Sequence, residues 1–214
     1  MFPNQTSFKI TAIVEGHGEQ LAVPVLLYKW FAQRQLYNFR TDQLAVRASG
    51  KGALKRPHDN ANELGIEHYI EIALRNRPDG ILVLLDADKD CTAAGHPKLG
   101  PILKDRAKKV AAHLPISVVV ANRTYESWFL AHFEDLQAAG YVSNETAPPL
   151  DLTELELYGG HKERLGELVR EGYEPTIHQV RFTRCMSFAQ PALERSRSLR
   201  KLAKELEWLC NQIQ

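Results

Sequence analysis

The sequence is poor in cysteine, and this scarcity argues against two classes of site. The chain of 214 residues has three cysteines, Cys91, Cys185 and Cys210, with no CxxC pair. An odd number of widely spaced thiols predicts neither a disulfide framework nor a structural zinc site. Reduced cysteines are typical of proteins in the cytoplasm, so we expect the chain to be cytoplasmic.

Long apolar runs and an excess of one charge are also missing. No stretch of about 18 apolar residues is present, so the sequence predicts no transmembrane helix and no membrane partner. The first ten residues lack the basic region and apolar stretch of a signal peptide. The formal net charge is +1, so any nucleic-acid site must be a local patch rather than an effect of bulk charge.

The apolar residues alternate between strand-like and helix-like segments. Buried or β-branched runs predict strands at residues 8–14, 43–48, 80–85 and 116–121. Helical spacing predicts helices at residues 19–35, 61–75, 100–113 and 125–139. Because proline is disfavoured inside a helix, Pro24 predicts that the first helix begins properly near that residue. Strands that alternate with helices predict an α/β fold, with a central parallel sheet and helices on both faces.

The pattern changes at Pro148 and Pro149, which mark a boundary in the chain. We predict an α/β core over residues 1–147 and a helical C-terminal extension over residues 148–214, with helices at 161–171 and 191–212. No internal repeat separates the two parts. We therefore expect the extension to pack on the sheet rather than to form an independent domain.

Acidic residues lie where three of the predicted strands end. They are Glu15 and Glu19 in EGHGE, Asp86, Asp88 and Asp90 in DADKD, and Glu126 in TYESWFLA. The carboxyl ends of parallel strands meet at one edge of a sheet, so we expect these side chains to converge there. Like charges at close range repel one another unless a cation neutralises them. A set of oxygen ligands suits Mg²⁺ or Mn²⁺.

Each acidic motif also has a purely structural interpretation when it is taken alone. The DADKD segment is compatible with a solvated turn, and Glu19 would be favourable in the first turn of any helix. Glu126 is compatible with an ordinary acid at a helix start. The placement of all three motifs at the ends of separate strands favours a functional site.

Longer strings carry a family resemblance. IVEGHGE and VLLDADKD, after the first and third predicted strands, resemble the paired glutamate and DxD motifs of TOPRIM (topoisomerase–primase) domains. The strings VEGHGEQLAVPVLL, LLDADKDC, ANRTYESWFLA, GGHKERL, YEPTIHQVRFTRCMSF and SRSLRKLAKEL narrow the match. They resemble a family of small bacterial TOPRIM-like proteins related to the TOPRIM half of overcoming-lysogenization-defect (OLD) nucleases, often encoded beside an ATPase.

The resemblance covers nearly the whole chain and implies a Rossmann-like TOPRIM core. It implies Mg²⁺- or Mn²⁺-dependent hydrolysis of nucleic acid, with a role in phage defence. In this family Glu15 would be a metal ligand or general base. Asp86 and Asp88 would be the metal-binding pair, and Glu19 and Asp90 would be accessory acids.

The same resemblance implies roles for two later residues. Glu126 matches the acidic position that holds a second ion in two-metal relatives. Lys162 would stabilise the charge of the transition state. Relatives often carry an acid two residues before Glu126, where this chain has Thr124, so one and two metal ions both stay open.

Two groups of basic residues are candidates for contact with nucleic acid. The first comprises Lys51, Lys55 and Arg56 in a polar loop and Lys89 within the acidic motif, all of which could bind backbone phosphates. A solvated loop is the alternative for the first three, and for Lys89 the alternative is that it only offsets the charge of the acidic motif. The second comprises Arg195, Arg197, Arg200, Lys201 and Lys204. We predict that this second group is a solvated helix face, with nucleic acid or an acidic partner surface as the alternative.

A metal-dependent nuclease is thus the leading hypothesis, with DNA or RNA as substrate and an ATPase encoded alongside as partner. The alternative is a non-catalytic metal- or nucleotide-binding regulatory subunit of that ATPase. A nucleotide-sugar transferase that uses DADKD is a third hypothesis, which EGHGE disfavours because such enzymes need no acid after the first strand. A homo-oligomer is left open by the sequence.

Overall fold

The computed structural model describes residues 6–49, 52–57, 64–87, 98–148, 152 and 155–214. The elements within these ranges follow in order: β1 (Phe8–Val14), α1 (His17–Gln33), β2 (Phe39–Thr41), β3 (Val46–Arg47), a 3₁₀ turn (Ala53–Lys55), α2 (Ile66–Leu74), β4 (Gly80–Asp86), α3 (Leu99–Val110), β5 (Ile116–Ala121), α4 (Glu126–Ala131), α5 (Phe133–Ala138), α6 (His161–Leu168), α7 (Pro175–Cys185), α8 (Gln190–Arg195) and α9 (Arg197–Ile213).

The strands form one parallel sheet in the order β2–β1–β4–β5, and β3 pairs with the end of β1 beyond β2. The register places Ile13 beside Val83 and Asp86 beside Ala121. This confirms the predicted α/β fold with a central parallel sheet. Because all strands run the same way, β1, β4 and β5 end at the same edge of the sheet. The polar residues that follow these strands therefore lie at that edge.

Helices cover both faces of the sheet, as predicted. Alternate strand residues point to opposite faces. On one face, α1, α4 and α9 join the strands in a large core that includes Ile10, Trp30, Trp128 and Leu206. On the other face, α2 and α3 form a smaller core around Ile13 and residues 66–70. The C-terminal helices therefore share a core with the sheet, whereas the boundary at residue 147 stays a prediction.

Helix α1 begins earlier than Pro24 predicted. It starts at His17, and Pro24 lies buried inside it. Proline has no N–H, so the carbonyl of Gln20, four residues earlier, lacks its helical partner. The N–H of Ala45 donates to that carbonyl at 2.9 Å. A hydrogen bond from the chain before β3 thus replaces the missing one, and the prediction of a later start was wrong.

Two predicted helices are each divided in the structure. The helix predicted at 125–139 is α4 followed by α5, with His132 between them. The helix predicted at 191–212 is α8 followed by α9. Ser196 separates them, and its hydroxyl accepts the N–H of Leu199 at 3.0 Å. Ser196 is therefore the N-cap of α9. An N-cap residue has a non-helical backbone, so the predicted helix is interrupted at this serine.

One strand and one α-helix were not predicted at all. Strand β2 has only three residues, which is too short for an alternating pattern to show. Helix α7 starts with Pro175 at its first position, but its buried residues include His178, Gln179 and Thr183. Polar side chains on the buried face hide the apolar spacing by which an amphipathic helix is detected.

His132 predicts a pH dependence of stability. Its Nε2 accepts the N–H of Phe188 at 3.3 Å, so Nδ1 carries the proton and donates to the carbonyl of Trp128 at 2.7 Å. Burial lowers the pKa of His132 below its ordinary value of 6.5. The unfolded chain therefore takes up a proton near pH 6.5 that the folded chain resists, and stability falls as the pH drops below that value.

The measurement is urea unfolding between neutral and mildly acidic pH. We expect the stability advantage of the wild type over His132→Gln to shrink as the pH falls, since the variant has no imidazole to protonate. Parallel curves for the two proteins would contradict this assignment.

Candidate functional site

A cavity of about 340 Å³ lies at the edge of the sheet where β1 and β4 end. Its walls come from the first turn of α1, the end of β4, and residues of β3, α6 and α7. The lining residues are Glu15, Gly16, His17, Gly18, Glu19, Arg47, Leu84, Leu85, Asp86, Tyr125, Lys162, Pro175, Thr176 and Gln179. The cavity thus joins residues that are far apart in the sequence, from Glu15 to Gln179.

Asp86 is the last residue of β4 and lines the cavity. Its Oδ1 accepts the N–H of Tyr125 at 2.8 Å, which fixes the orientation of the carboxyl group. Burial raises the pKa of Asp86 well above its ordinary value, and the negative charges of Glu126 and Glu19 raise it further. A cation bound here would reverse this effect, because it favours the ionised form.

Glu15 follows β1, and its side chain is held by the loop that contains Gly52 and the 3₁₀ turn. Its Oε1 accepts the N–H of Gly52, whose φ of +72° is a conformation that favours glycine. Arg106 on α3 secures this loop by donating to the carbonyl of Arg56 at 2.5 Å. The same guanidinium donates two hydrogen bonds to Glu67 on α2, at 2.7 and 2.6 Å. The orientation of Glu15 is therefore set by a chain of contacts that extends to α2 and α3.

Glu126 is the first residue of α4, and its side chain has no exposed surface. Its Oε1 accepts hydrogen bonds from the hydroxyl of Tyr173 at 3.0 Å and from Nε2 of Gln179 at 3.1 Å. The ammonium of Lys162, which is half-exposed, lies 3.8 Å from the same oxygen. The other oxygen, Oε2, is buried and has no hydrogen-bond partner among the described residues. An unpaired buried carboxylate oxygen is costly, so this atom indicates a position for a cation or a water molecule.

Gln179 connects the acidic groups of α1 and α4. Its Nε2 also donates to Oε1 of Glu19 at 3.2 Å, so one amide bridges Glu19 and Glu126. Burial raises the pKa of Glu19, and the hydrogen bond from Gln179 lowers it in part. Helix α7 thus places a neutral donor between two carboxylates that would otherwise repel each other.

The close contact of α1 with α7 predicts the effect of a small substitution. A Cβ atom at Gly18 would overlap the side chain of Gln179 and lie 3.1 Å from the carbonyl of Pro175. We expect Gly18→Ala to lower the free energy of unfolding by about 1–3 kcal/mol, because overpacking forces the helices apart. Urea unfolding measures the change.

Gly166 on α6 provides the matched control. A Cβ atom there would meet no other atom within 4 Å, and the position is helical. We expect Gly166→Ala to raise stability by up to about 1 kcal/mol, because alanine favours the helix. Equal effects of the two variants would show that α1 and α7 are not closely packed.

The structure brings some of the predicted site residues together and not others. Glu15, Glu19, Asp86 and Lys162 line the cavity. Glu126 does not line it but contacts Lys162 and Gln179, which do. Lys55 and Arg56 lie in the loop that holds Glu15 and are not part of the lining. Lys51, Asp88, Lys89 and Asp90 lie outside the described residues.

The donor set fits a hard cation that keeps water ligands. Among the described residues, no three His, Cys, Asp or Glu side chains form a group that could hold a metal ion. Glu15 and Asp86 nevertheless line one cavity, and Mg²⁺ typically binds through one or two carboxylates with water completing its shell. The unpartnered Oε2 of Glu126 is a further oxygen donor nearby. A metal role for Glu15, Glu19, Asp86 and Glu126 stays a prediction.

Sequence reasoning missed four residues that shape the site. They are Arg47, Tyr125, Tyr173 and Gln179. Tyr125 acts through its backbone N–H, which no sequence pattern shows. Tyr173 and Gln179 belong to α7 or to the turn before it. Two signals were available. One is the Glu-Pro pair at the start of this helix, because proline is favoured in the first helical turn. The other is the string YEPTIHQVRFTRCMSF, which contains Tyr173 and Gln179 and carries part of the family resemblance.

Comparisons with known proteins gave three results. A family model, the domain of unknown function DUF4276, matches residues 14–207. A comparison with curated proteins found no match. Among solved structures, the C-terminal region of the Xanthomonas campestris pv. campestris OLD protein is similar with a TM-score of 0.38 and 14% identity, over 99% of this chain and 98% of that one. In the described ranges, no helix has the length and apolar character needed to cross a membrane.

Proposed function

The chain belongs to the DUF4276 family, and we propose that it is a divalent-metal-dependent nuclease that hydrolyses phosphodiester bonds at the acidic cavity. The observation that carries this proposal is the convergence of Glu15, Asp86 and Lys162 on one cavity from distant parts of the chain. The TOPRIM-like strings around Glu15 and Asp86 support the same chemistry. Their resemblance to OLD nucleases extends the proposal to a cytoplasmic effector of phage defence that works with an ATPase partner.

Glu15 and Asp86 would hold the ion, Mg²⁺ or Mn²⁺. When bound, such an ion supplies positive charge to a phosphoryl oxygen and lowers the pKa of a bound water. The contribution of the protein is to fix the two carboxylates before substrate arrives. The N–H groups of Tyr125 and Gly52 do this, each through one hydrogen bond.

Lys162, on α6, supplies positive charge to the same cavity. Its ammonium is half-exposed and lies within 3.8 Å of the buried Glu126 carboxylate. Hydrogen bonds from Tyr173 and Gln179 hold that carboxylate in place, so the ammonium of Lys162 is attracted to a negative charge at a fixed position. From there it stabilises the negative charge that develops on the phosphoryl group and its leaving oxygen, as positive groups do in phosphoryl transfer.

A cleavage assay tests the proposal. The purified protein, alone and with an ATPase encoded beside it, is incubated with plasmid DNA and with RNA in Mg²⁺, Mn²⁺ or EDTA. We expect cleavage that needs a divalent ion and that is lost in Glu15→Gln and Lys162→Gln. Lys109→Gln, at an exposed position on α3, is the matched control for loss of a lysine. Cleavage that persists in Glu15→Gln, or in EDTA, would overturn the assignment of the site.

A regulatory subunit is the second candidate function. Thr124 favours it, because this chain has a hydroxyl two residues before Glu126, where TOPRIM-like relatives often carry an acid. The same experiment separates the two functions. Binding of Mn²⁺ without cleavage of DNA or RNA, in the presence of the ATPase, would favour the regulatory subunit.

A further inference from the structure

A second cavity, of about 460 Å³, lies along α9 beside the end of β5, and its lining is strongly basic. We call it the basic groove; its lining residues are Val120, Asn122, Glu156, Arg197, Ser198, Arg200, Lys201 and Lys204. The four basic residues follow one another at spacings that place them on one face of a helix. From Arg197 to Lys204 the helix rises about 10 Å. Arg197, Lys201 and Lys204 are exposed, as predicted for a solvated face, and they also line a concave surface. Arg195, which was predicted with them, lies on α8 and forms an ion pair with Glu134 instead.

Three of the four cations in the basic groove have no ion-pair partner within the described ranges. Arg197 and Lys204 are exposed and form no such pair there. Lys201 forms an ion pair with Glu205, and Arg200 donates to the carbonyl of Leu193 at 2.9 Å. The groove thus presents three cations whose charge is not offset by an ion pair, and two of them, Arg197 and Lys204, are exposed.

Glu156, the one acid in the lining of the groove, accepts hydrogen bonds from neutral groups rather than from the four cations. Oε1 of Glu156 accepts the N–H of Ser198 at 2.7 Å and the hydroxyl of Ser196 at 2.8 Å. Its Oε2 lies 3.4 Å from the amide nitrogen of Asn122. These contacts tie Glu156 to the start of α9 and to the end of β5. The net charge of the groove is therefore positive, which suits a polyanion.

The basic groove begins next to the acidic cavity. Asn122 directly follows Ala121, which pairs with Asp86 in the sheet and accepts the N–H of Ala87 at 2.9 Å. Neighbouring parallel strands are about 4.8 Å apart. A ligand that reaches from Asp86 across one strand therefore arrives at Asn122 and at the positive face of α9.

We propose that the basic groove binds the phosphodiester backbone of the nucleic-acid substrate on one side of the bond that is cleaved. This inference rests on the proposed nuclease function and adds the path of the substrate. A rise of about 10 Å on α9 corresponds to about three nucleotides, because a strand carries one phosphate per ~3.4 Å of helix axis. Contacts from arginine and lysine to phosphates do not read sequence, so binding here would be independent of sequence.

The test measures binding without cleavage. Fluorescein-labelled single-stranded DNA and RNA of mixed sequence are titrated in EDTA at several salt concentrations, with fluorescence anisotropy as the signal. We expect Arg197→Gln/Lys204→Gln to bind severalfold more weakly than the wild type. The slope of log K against log salt should fall in magnitude by about 1.4, since each phosphate contact on a single strand contributes about 0.7.

Arg170→Gln/Arg181→Gln is the matched control, because both arginines are exposed and line a different cavity on α7. Equal weakening in this control would show that the effect comes from net charge alone, and it would overturn the inference.

Unchanged binding by Arg197→Gln/Lys204→Gln, with cleavage by the wild type intact, would overturn only the proposal that the groove binds nucleic acid. A wild type that neither binds nor cleaves nucleic acid would overturn the nuclease and the groove together. Equally tight, groove-dependent binding of fluorescein-labelled polyglutamate would assign the groove to an acidic protein surface instead.

Discussion

Replacing Asp86 with asparagine is expected to abolish cleavage of nucleic acid while leaving the fold intact. Asparagine has the same shape, and its carbonyl oxygen can still accept the N–H of Tyr125. The substitution removes the negative charge that would hold the metal ion. Loss of a residue that merely supports a metal ligand costs about 10–100-fold, so loss of the ligand itself should lower the rate by about 100-fold or more.

The measurement is the initial rate of cleavage in Mg²⁺ or Mn²⁺, together with thermal unfolding without metal. Burial and the charges of Glu126 and Glu19 raise the pKa of Asp86, so its ionised form is unfavourable in the metal-free protein. We therefore expect Asp86→Asn to unfold at a temperature no lower than the wild type when metal is absent. Asp105→Asn, at an exposed position on α3, is the control. A rate within a few fold of the wild type would remove Asp86 from the reaction.

Replacing Trp128 with alanine is expected to lower the free energy of unfolding by about 3–5 kcal/mol, the range for a large buried aromatic side chain. Trp128 lies on α4 and is fully buried. Its Nε1 donates to the hydroxyl of Ser198 on α9 at 2.9 Å, and its ring lies 5.2 Å from that of Tyr125. The side chain thus connects the helix that carries Glu126 with the C-terminal helices.

Trp208→Ala is the matched control for Trp128→Ala. Trp208 is only partly buried, and its ring lies under the ammonium of Lys104 at 4.4 Å. We expect Trp208→Ala to lower the free energy of unfolding by less than Trp128→Ala, because less apolar surface returns to water. Urea unfolding should show one transition for both variants, since the C-terminal helices and the sheet share a core. Separate transitions for the two parts would contradict that packing.

The strands that position the site could be predicted because each is a run of apolar residues covered on both faces. From β1 and β4 the places of Glu15 and Asp86 followed, since parallel strands end at one edge. Glu15 and Asp86 do line one cavity, whereas Asp88 and Asp90 lie outside the described residues. The loop before α2 gave no such signal, because Gly52 acts through its backbone N–H.

The remaining parts of the site depend on tertiary contacts that leave little trace in the sequence. Helix α7 has a polar buried face because Gln179 bonds to Glu19 and Glu126, so it lacked the apolar spacing by which helices are predicted. The helix around Pro24 continues because a residue far along the chain, Ala45, donates to the carbonyl that proline leaves unpaired. Periodicity within one segment cannot indicate partners of this kind.

Crystals of the protein soaked in Mn²⁺ give the most direct test of a shared metal site, because the anomalous signal of manganese locates the ion. We predict a peak in direct contact with carboxylate oxygens of Asp86 and Glu15, and no peak there in crystals of Asp86→Asn. An ion bound elsewhere on the molecule, or an empty cavity at saturating Mn²⁺, would contradict a shared metal site at these two residues.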